Sequence, residues 1–456
     1  MPRGGLRRDP LTRSAGRKWL AANGWWLVDE GDETTCFTFC YVELSGLTNI
    51  LTLKCPCMIM ADTGGQGFSI KDSGRKARGK PMDDRQRLRA VLNYEDYDRL
   101  PVVHFGFWTE LLEKWVAEGH LKPEEIIGAT DGTENEALIE EKLGFDFNYY
   151  TTFQDLSGFG SLWPPFEEKT VKEYDDGRYE YLNEYGVTEL RKPGVTCIGA
   201  EIAHTLVDRE SWEEHYLPRL SFGEDRYDPQ LVSKLVAESG TRSRPLGLYC
   251  KSLYGVIRNW MGVEGLCLLP AEDEELYDEI IATLADLTYK TVKRGLETGV
   301  AFDFAHYWED IAFKNGPLVN PKVFMEKIGP HYRRISDLLH SYGVNIISLD
   351  CDGVIDLLIP TWIENGVNTM FPIEVGTWGA SIAPWREKYG RELRGVGGVN
   401  KHVMSYDRAA VDAEIERLKP LVDLGGFLPC PDHRLPVDNK WELVQYYCER
   451  MRREFS

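Results

Sequence analysis

The side chains best suited to chemistry in this 456-residue chain are carboxylates and imidazoles that recur just after short apolar runs. His306, Glu309 and Asp310 follow one such run, and Asp350, Cys351 and Asp352 follow the next. Glu374 follows another, and Asp432 and His433 follow the last. Taken singly, each is what a helix cap or a solvated loop would use; Asp352, just ahead of Val354, would be worth ~1 kcal/mol as a cap. Recurrence at successive run ends is what points to a shared site. Asp350 and Asp352 lie two residues apart, and so on one side of an extended backbone. With His433 they make an O,O,N ligand set for a divalent metal, zinc or another, with a coordination position left open. The alternative is a hydrogen-bonded cluster without metal. Glu309, Asp310, Asp350 and Glu374 are the candidate catalytic acids and bases. Candidate substrate contacts are His306, Lys314, and the pair Arg258 and Trp260, which offer a fork for an anion and a face for a flat ring. For that pair the alternative is a helix start with a buried Trp. Gly397-Gly398 offers backbone N–H groups to a phosphate, and Cys351, on the other side of the backbone from its acidic neighbours, reads as a core thiol.

Those residues need a scaffold that collects strand ends at one place. Apolar runs at 101–107, 245–252, 300–306, 344–349, 369–373, 393–396 and 427–429 are short and largely apolar on both faces, as parallel strands covered by helices should be. Helical patterns lie between them. Asn320-Pro321 opens one over 321–341, residues 274–298 carry a continuous apolar stripe, and helices over 354–365 and 407–424 end at Gly366 and Gly425. Residues 145–205 break this rhythm and predict an inserted hairpin or meander, with turns at Asp175-Asp176-Gly177 and Glu184-Tyr185-Gly186. Alternating strands and helices give an α/β fold with a parallel sheet. No dinucleotide fingerprint follows the first strand, which disfavours a Rossmann domain.

Composition narrows the functional classes. Hydrophobic residues make up 43% of the chain and aromatics 12%, enough for one large core. The net charge of −20 disfavours a nucleic-acid partner, and no apolar run is long enough for a membrane span. Cys197, Cys250, Cys267, Cys351, Cys430 and Cys448 show no pairing pattern, which fits free thiols in a reducing cytoplasm. Residues 1–81 hold 12 Lys and Arg against 8 Asp and Glu, whereas the remainder holds 41 against 65. Cys36-x3-Cys40 and Cys55-x-Cys57 are poorly spaced for zinc, and the Gly64-Gly65-x-Gly67 stretch lacks the Lys-Ser/Thr of a phosphate loop. We read 1–81 as a weakly structured N-terminal extension, or the product of an upstream start with the true one at Met82, and 82–456 as the catalytic domain.

Several stretches carry a family resemblance. Residues 82–103 (MDDRQRLRAVLNYEDYDRLPVV), 245–262, 300–317 (VAFDFAHYWEDIAFKNGP), 345–360 and 425–437 (GGFLPCPDHRLPV) resemble the uroporphyrinogen decarboxylase superfamily, and within it the corrinoid-linked methyltransferases and their relatives. The resemblance spans about Met82 to Glu454 and implies a (β/α)8 barrel of the TIM type with its site on the loops after the strands. It also implies a homodimer, a small methylated donor and a corrinoid on a partner protein. In thiol-methylating members, a His-x-Cys and a later Cys bind zinc. The matching positions here are Asp350, Asp352 and His433, so a thiolate-activating zinc is not implied. The arginine-rich stretch of the true decarboxylases is missing from 104–115 (HFGFWTELLEKW), which ranks decarboxylation of a porphyrinogen or smaller acid second, ahead of a non-catalytic binding barrel.

Overall fold

In the computed structural model the described residues are 81–157, 160–193 and 199–456, together with the backbone of two short strands, Ala21–Ala22 and Trp25–Trp26. Cys36, Cys40, Cys55, Cys57, Cys197, the glycines at 64–67 and the basic run 71–80 lie outside them. The chain divides into two compact units, Met1–Arg75 and Lys76–Ser456.

The second unit opens with the helix Asp84–Leu92, closed by a capping box: the Asp83 side chain accepts from the Gln86 N–H, and the Gln86 side chain accepts from the Asp83 N–H. The helix buries Leu88, Val91 and Leu92. Two short parallel strands come next, β1 (Val103–His104) and β2 (Phe147–Asn148), then β3 (Phe153–Gln154). A four-stranded antiparallel meander follows: β4 (Lys169–Glu173), β5 (Tyr179–Leu182), β6 (Val187–Arg191) and β7 (Ala200–His204). The main sheet continues with β8 (Gly247–Tyr249), β9 (Phe304–Trp308), β10 (Ile347–Asp350), β11 (Thr369–Ile373), β12 (Arg394–Val399) and β13 (Phe427–Pro431). Parallel ladders join them into a seven-stranded sheet in the order β13-β12-β11-β10-β9-β8-β3.

The α/β class, the parallel sheet and the inserted meander agree with the sequence reading. Ladder hydrogen bonds among the described residues do not close a ring. β1 and β2 form a separate pair, tied near β13 by one bridge between Phe107 and Leu435. Several expected boundaries shift: the helix expected over 354–365 covers only Ile359–Glu364, and the strand expected at 300–306 is Phe304–Trp308. Residues 149–153 were expected in the insertion, yet Phe153 pairs with Gly247 in the main sheet. The helix expected over 321–341 is two, Pro321–Lys327 and Gly329–Ser341, because Pro330 removes a backbone donor and clashes with the preceding turn. β9 to β13 are buried along almost their whole length, which is why their sequences run apolar instead of alternating.

Candidate active site

Parallel order puts the residues that end β9, β10, β11 and β13 side by side on one rim. Asp310, Asp350 and Asp352 converge there, each with a carboxylate oxygen within 4.8 Å of the others. Asp350 is 3% exposed. Its Oδ2 accepts from the Tyr150 hydroxyl at 3.0 Å. Burial pushes its carboxyl well above the usual range, and Asp310 and Asp352 push it further. Asp352 is raised in the same way, by burial and then by Asp310 and Glu374. One of its oxygens, Oδ1, is buried with no partner among the described residues.

Asp310 is held in an unusual backbone conformation, φ +47°, that an L residue adopts only when its surroundings impose it. Its Oδ1 accepts from the Asp352 N–H at 3.0 Å, and its carbonyl accepts from Arg258 Nη1 at 2.7 Å. Glu374 is 4% exposed and accepts from the Gly353 N–H at 2.7 Å and from the Trp378 indole, so it fixes the turn that carries Asp352. Burial raises its carboxyl, against those hydrogen bonds and Lys401.

His433 closes the set. Its Nε2 lies 3.8 Å from Asp352 Oδ2, and its ring stacks on Trp108, with centroids 5.8 Å apart. Burial, with Lys401 and Arg434 nearby, lowers its pKa to about 4, so near neutral pH the imidazole is uncharged and can offer a lone pair. Behind it, buried Asp432 accepts from the Gly376 and Lys401 N–H groups. Phe105, Tyr150, Trp108 and Phe371 surround these groups with aromatic surface.

Other expected site residues stand elsewhere. Glu309 is fully buried, and its carboxylate accepts from the Leu253, Tyr254 and Gly255 N–H groups and from the Ser252 and Tyr332 hydroxyls. It anchors the start of the helix Gly255–Glu272. Only glycine fits at 255, since a Cβ there would lie 1.7 Å from the Glu309 carbonyl oxygen. Trp260 is fully buried against Tyr216 and lines no site, the helix-start alternative raised for it. Arg258 holds the Asp310 carbonyl and the Asn259 side chain, so its fork positions backbone. Lys314 is exposed in the turn between the short paired strands Ala312–Phe313 and Gly316–Pro317. His306 is fully buried inside the sheet, stacked on Phe153 at 3.9 Å. Its Nδ1 lies 3.1 Å from Ser348 Oγ, its Nε2 has no partner among the described residues, and burial lowers its pKa to about 3. Gly397-Gly398 lies within β12, where a Cβ on Gly397 would meet the Ile373 backbone nitrogen at 2.4 Å. Close strand packing, not phosphate, accounts for it. Cys351 is buried and accepts from the Ile311 N–H, as a core thiol should.

Sequence reasoning missed Tyr150, Trp378 and Lys401. Each acts through another residue, and none stands at a spacing that would mark it. It also missed a buried group, His104, Glu136 and Glu140. There the His104 ring bonds Glu140 at 2.9 Å and accepts from the Gly106 N–H, while Glu136 bonds the Gly132 N–H and Asn148; these bonds tie β1 and β2 to the helix Glu134–Leu143.

No family model and no curated protein matches the sequence. Solved structures do resemble the fold. A methyltransferase from Methanosarcina mazei superposes with a TM-score of 0.50 at 14% identity, over 81% of this chain and 98% of that one. The chain shares the overall fold of that protein. A B12-independent methionine synthase from a Shewanella species, in complex with selenomethionine, gives a TM-score of 0.40 at 12% identity, over 77% and 96% of the two chains. No described helix is long and apolar enough to cross a membrane.

Proposed function

We propose that this chain is a methyltransferase that moves a methyl group from a small methylated donor to a corrinoid, and that Asp310, Asp350, Asp352 and His433 hold a divalent metal for that reaction on the rim of a closed (β/α)8 barrel. The observation that carries this reading is the convergence of three carboxylates within 4.8 Å on the rim of this fold. Like charges crowded around the buried Asp350 are costly unless a cation balances them, and Asp352 Oδ1 keeps an unused lone pair in the same place. The donor set is oxygen and imidazole, with Cys351 turned into the core. That suits a harder cation better than a zinc tuned for thiols.

When bound, such a cation supplies Lewis-acid polarisation of the atom that releases the methyl group. The protein's own groups do the rest. Tyr150 and Glu374 orient the carboxylates, Arg258 fixes the Asp310 backbone, and Lys401 adds positive field beside Glu374 and His433. The aromatic faces of Phe105, Trp108 and Tyr150 favour a methyl group carrying partial positive charge. The C–X bond of the donor breaks as the C–Co bond forms. The electron pair comes from cob(I)alamin, and the leaving atom X keeps its own pair. The corrinoid arrives on a separate carrier protein, and the enzyme works in the cytoplasm as a homodimer.

The test combines elemental analysis of the purified protein with a transfer assay using free cobalamin reduced to Co(I) and a panel of methylated amines, ethers and thiols. Methylcobalamin formation that depends on one stoichiometric divalent metal is the expected outcome. Wild-type turnover by Asp350→Ala would end the assignment.

A further inference from the structure

The opposite side of the sheet carries concentrated positive charge. Arg394 opens β12, Gly425 and Gly426 precede β13, and Tyr94 follows the first helix just before β1. These positions lie at strand starts, whereas the carboxylate rim lies at strand ends. The guanidinium carbons of Arg386, Arg391 and Arg394 stand 5.0, 4.0 and 5.4 Å from the centroid of the Tyr94 ring. No two of them can therefore be more than about 10 Å apart, a range over which like charges still repel at ordinary ionic strength. Burial lowers the pKa of Arg386 and Arg394, and Arg391 lowers both further, against Tyr94 and, at Arg394, Glu392.

Tyr94 is built in as a platform. Its backbone takes φ +62°, and its hydroxyl donates to the Arg391 carbonyl at 2.9 Å, with the Leu393 carbonyl at 3.1 Å. Glycine at 426 is required beneath it, because a Cβ there would lie 2.3 Å from Tyr94 Cζ. The donors around it are only partly used. Arg386 sends Nη1 and Nη2 to the Gly425 and Leu424 carbonyls and leaves a buried Nε without a partner among the described residues. Arg394 spends Nε and Nη1 on the Leu92 and Glu392 carbonyls. The exposed Arg391 stacks on Tyr94, and no hydrogen bond or ion pair involves its guanidinium among the described residues. Nor does any carboxylate there lie within 4.0 Å of the three. Glu392 lies close enough to act on Arg394 electrostatically but pairs with none of the three; in a chain with 73 carboxylate residues against 53 cationic ones, three arginines gathered without an ion-paired acid have room for an outside anion.

We propose that Arg386, Arg391 and Arg394 form a binding site for a phosphate group, with Tyr94 holding the guanidinium forks in place. Planar forks match phosphate oxygens in pairs, and a dianion would relieve the repulsion among three cations. The site is remote from the carboxylate rim and does not rest on the methyl-transfer reading.

Calorimetric titration of the full-length protein with inorganic phosphate, pyrophosphate and glycerol phosphate tests it and separates free phosphate from esters. Saturable binding of at least one is expected, weakened about ten-fold in Arg391→Ala, the order of one charge-assisted hydrogen bond. Since that guanidinium bonds no backbone, the variant should keep its fold. Arg391→Lys, which retains the charge without the fork, should lose less. Absence of binding at millimolar anion, or equal affinity in the parent and both variants, would overturn the proposal.

Discussion

Replacing Glu309 by alanine should unfold this protein more readily without abolishing its chemistry. Five buried donors converge on the Glu309 carboxylate: three backbone N–H groups and the hydroxyls of Ser252 and Tyr332. Each buried donor left without a partner costs about 1–3 kcal/mol. The sum overstates the loss, because the hydroxyls can turn elsewhere and because removing a buried carboxylate recovers its desolvation cost. A net loss of roughly 5 kcal/mol remains, a large part of the 5–15 kcal/mol that holds a typical domain together. Glu309→Gln, which keeps the shape and one acceptor oxygen, should lose about half of that. Urea unfolding measures both, with turnover per folded molecule followed at zero denaturant. Glu309→Ala as stable as the parent but inactive would refute the reasoning and return Glu309 to the catalytic set.

Other consequences follow from burial and charge. His306 and His433, with pKa near 3 and 4 in the fold against 6.5 when unfolded, take up protons on unfolding, so stability should fall as pH drops below 6.5. For fully buried His306 the loss reaches about 2 kcal/mol by pH 5, and thermal melts of His306→Gln, whatever its absolute stability, should lack that part of the slope. Trp260→Ala should cost about 3–5 kcal/mol of stability and leave the KM for the donor unchanged in steady-state kinetics, because the indole packs on Tyr216 away from the rim. Asp352→Ala should cut turnover at least ~100-fold while the melting temperature of metal-free protein holds or rises, since one of three repelling carboxylates is gone.

Much of the scaffold was legible because buried parallel strands leave uninterrupted apolar runs. The run at 369–373 coincides with β11, and 427–429 lies inside β13. β2 and β3 were not legible: at two residues each they are too short to leave a period, and Tyr149 and Tyr150 beside them look like insertion. The rim residues Asp310, Asp350, Asp352, Glu374 and His433 were readable because each follows a strand. Direction along a strand does not show where a side chain turns, and the sequence did not reveal that Glu309, His306 and Trp260 sit buried away from the carboxylate cluster. Glu309 stands one residue before Asp310, yet it turns to a helix start while Asp310, at φ +47°, turns to the rim. Only tertiary neighbours such as Gly255 and Tyr332 distinguish the two.

The account turns on whether the converged carboxylates hold a cation. Titrating a divalent metal into chelator-treated protein, and into Asp350→Ala and Asp352→Ala, with metal content read by elemental analysis, tests that directly. One equivalent bound by the parent, with affinity reduced at least ~100-fold in each variant, is the predicted result. A parent that takes up no metal, or variants that bind as the parent does, would contradict it.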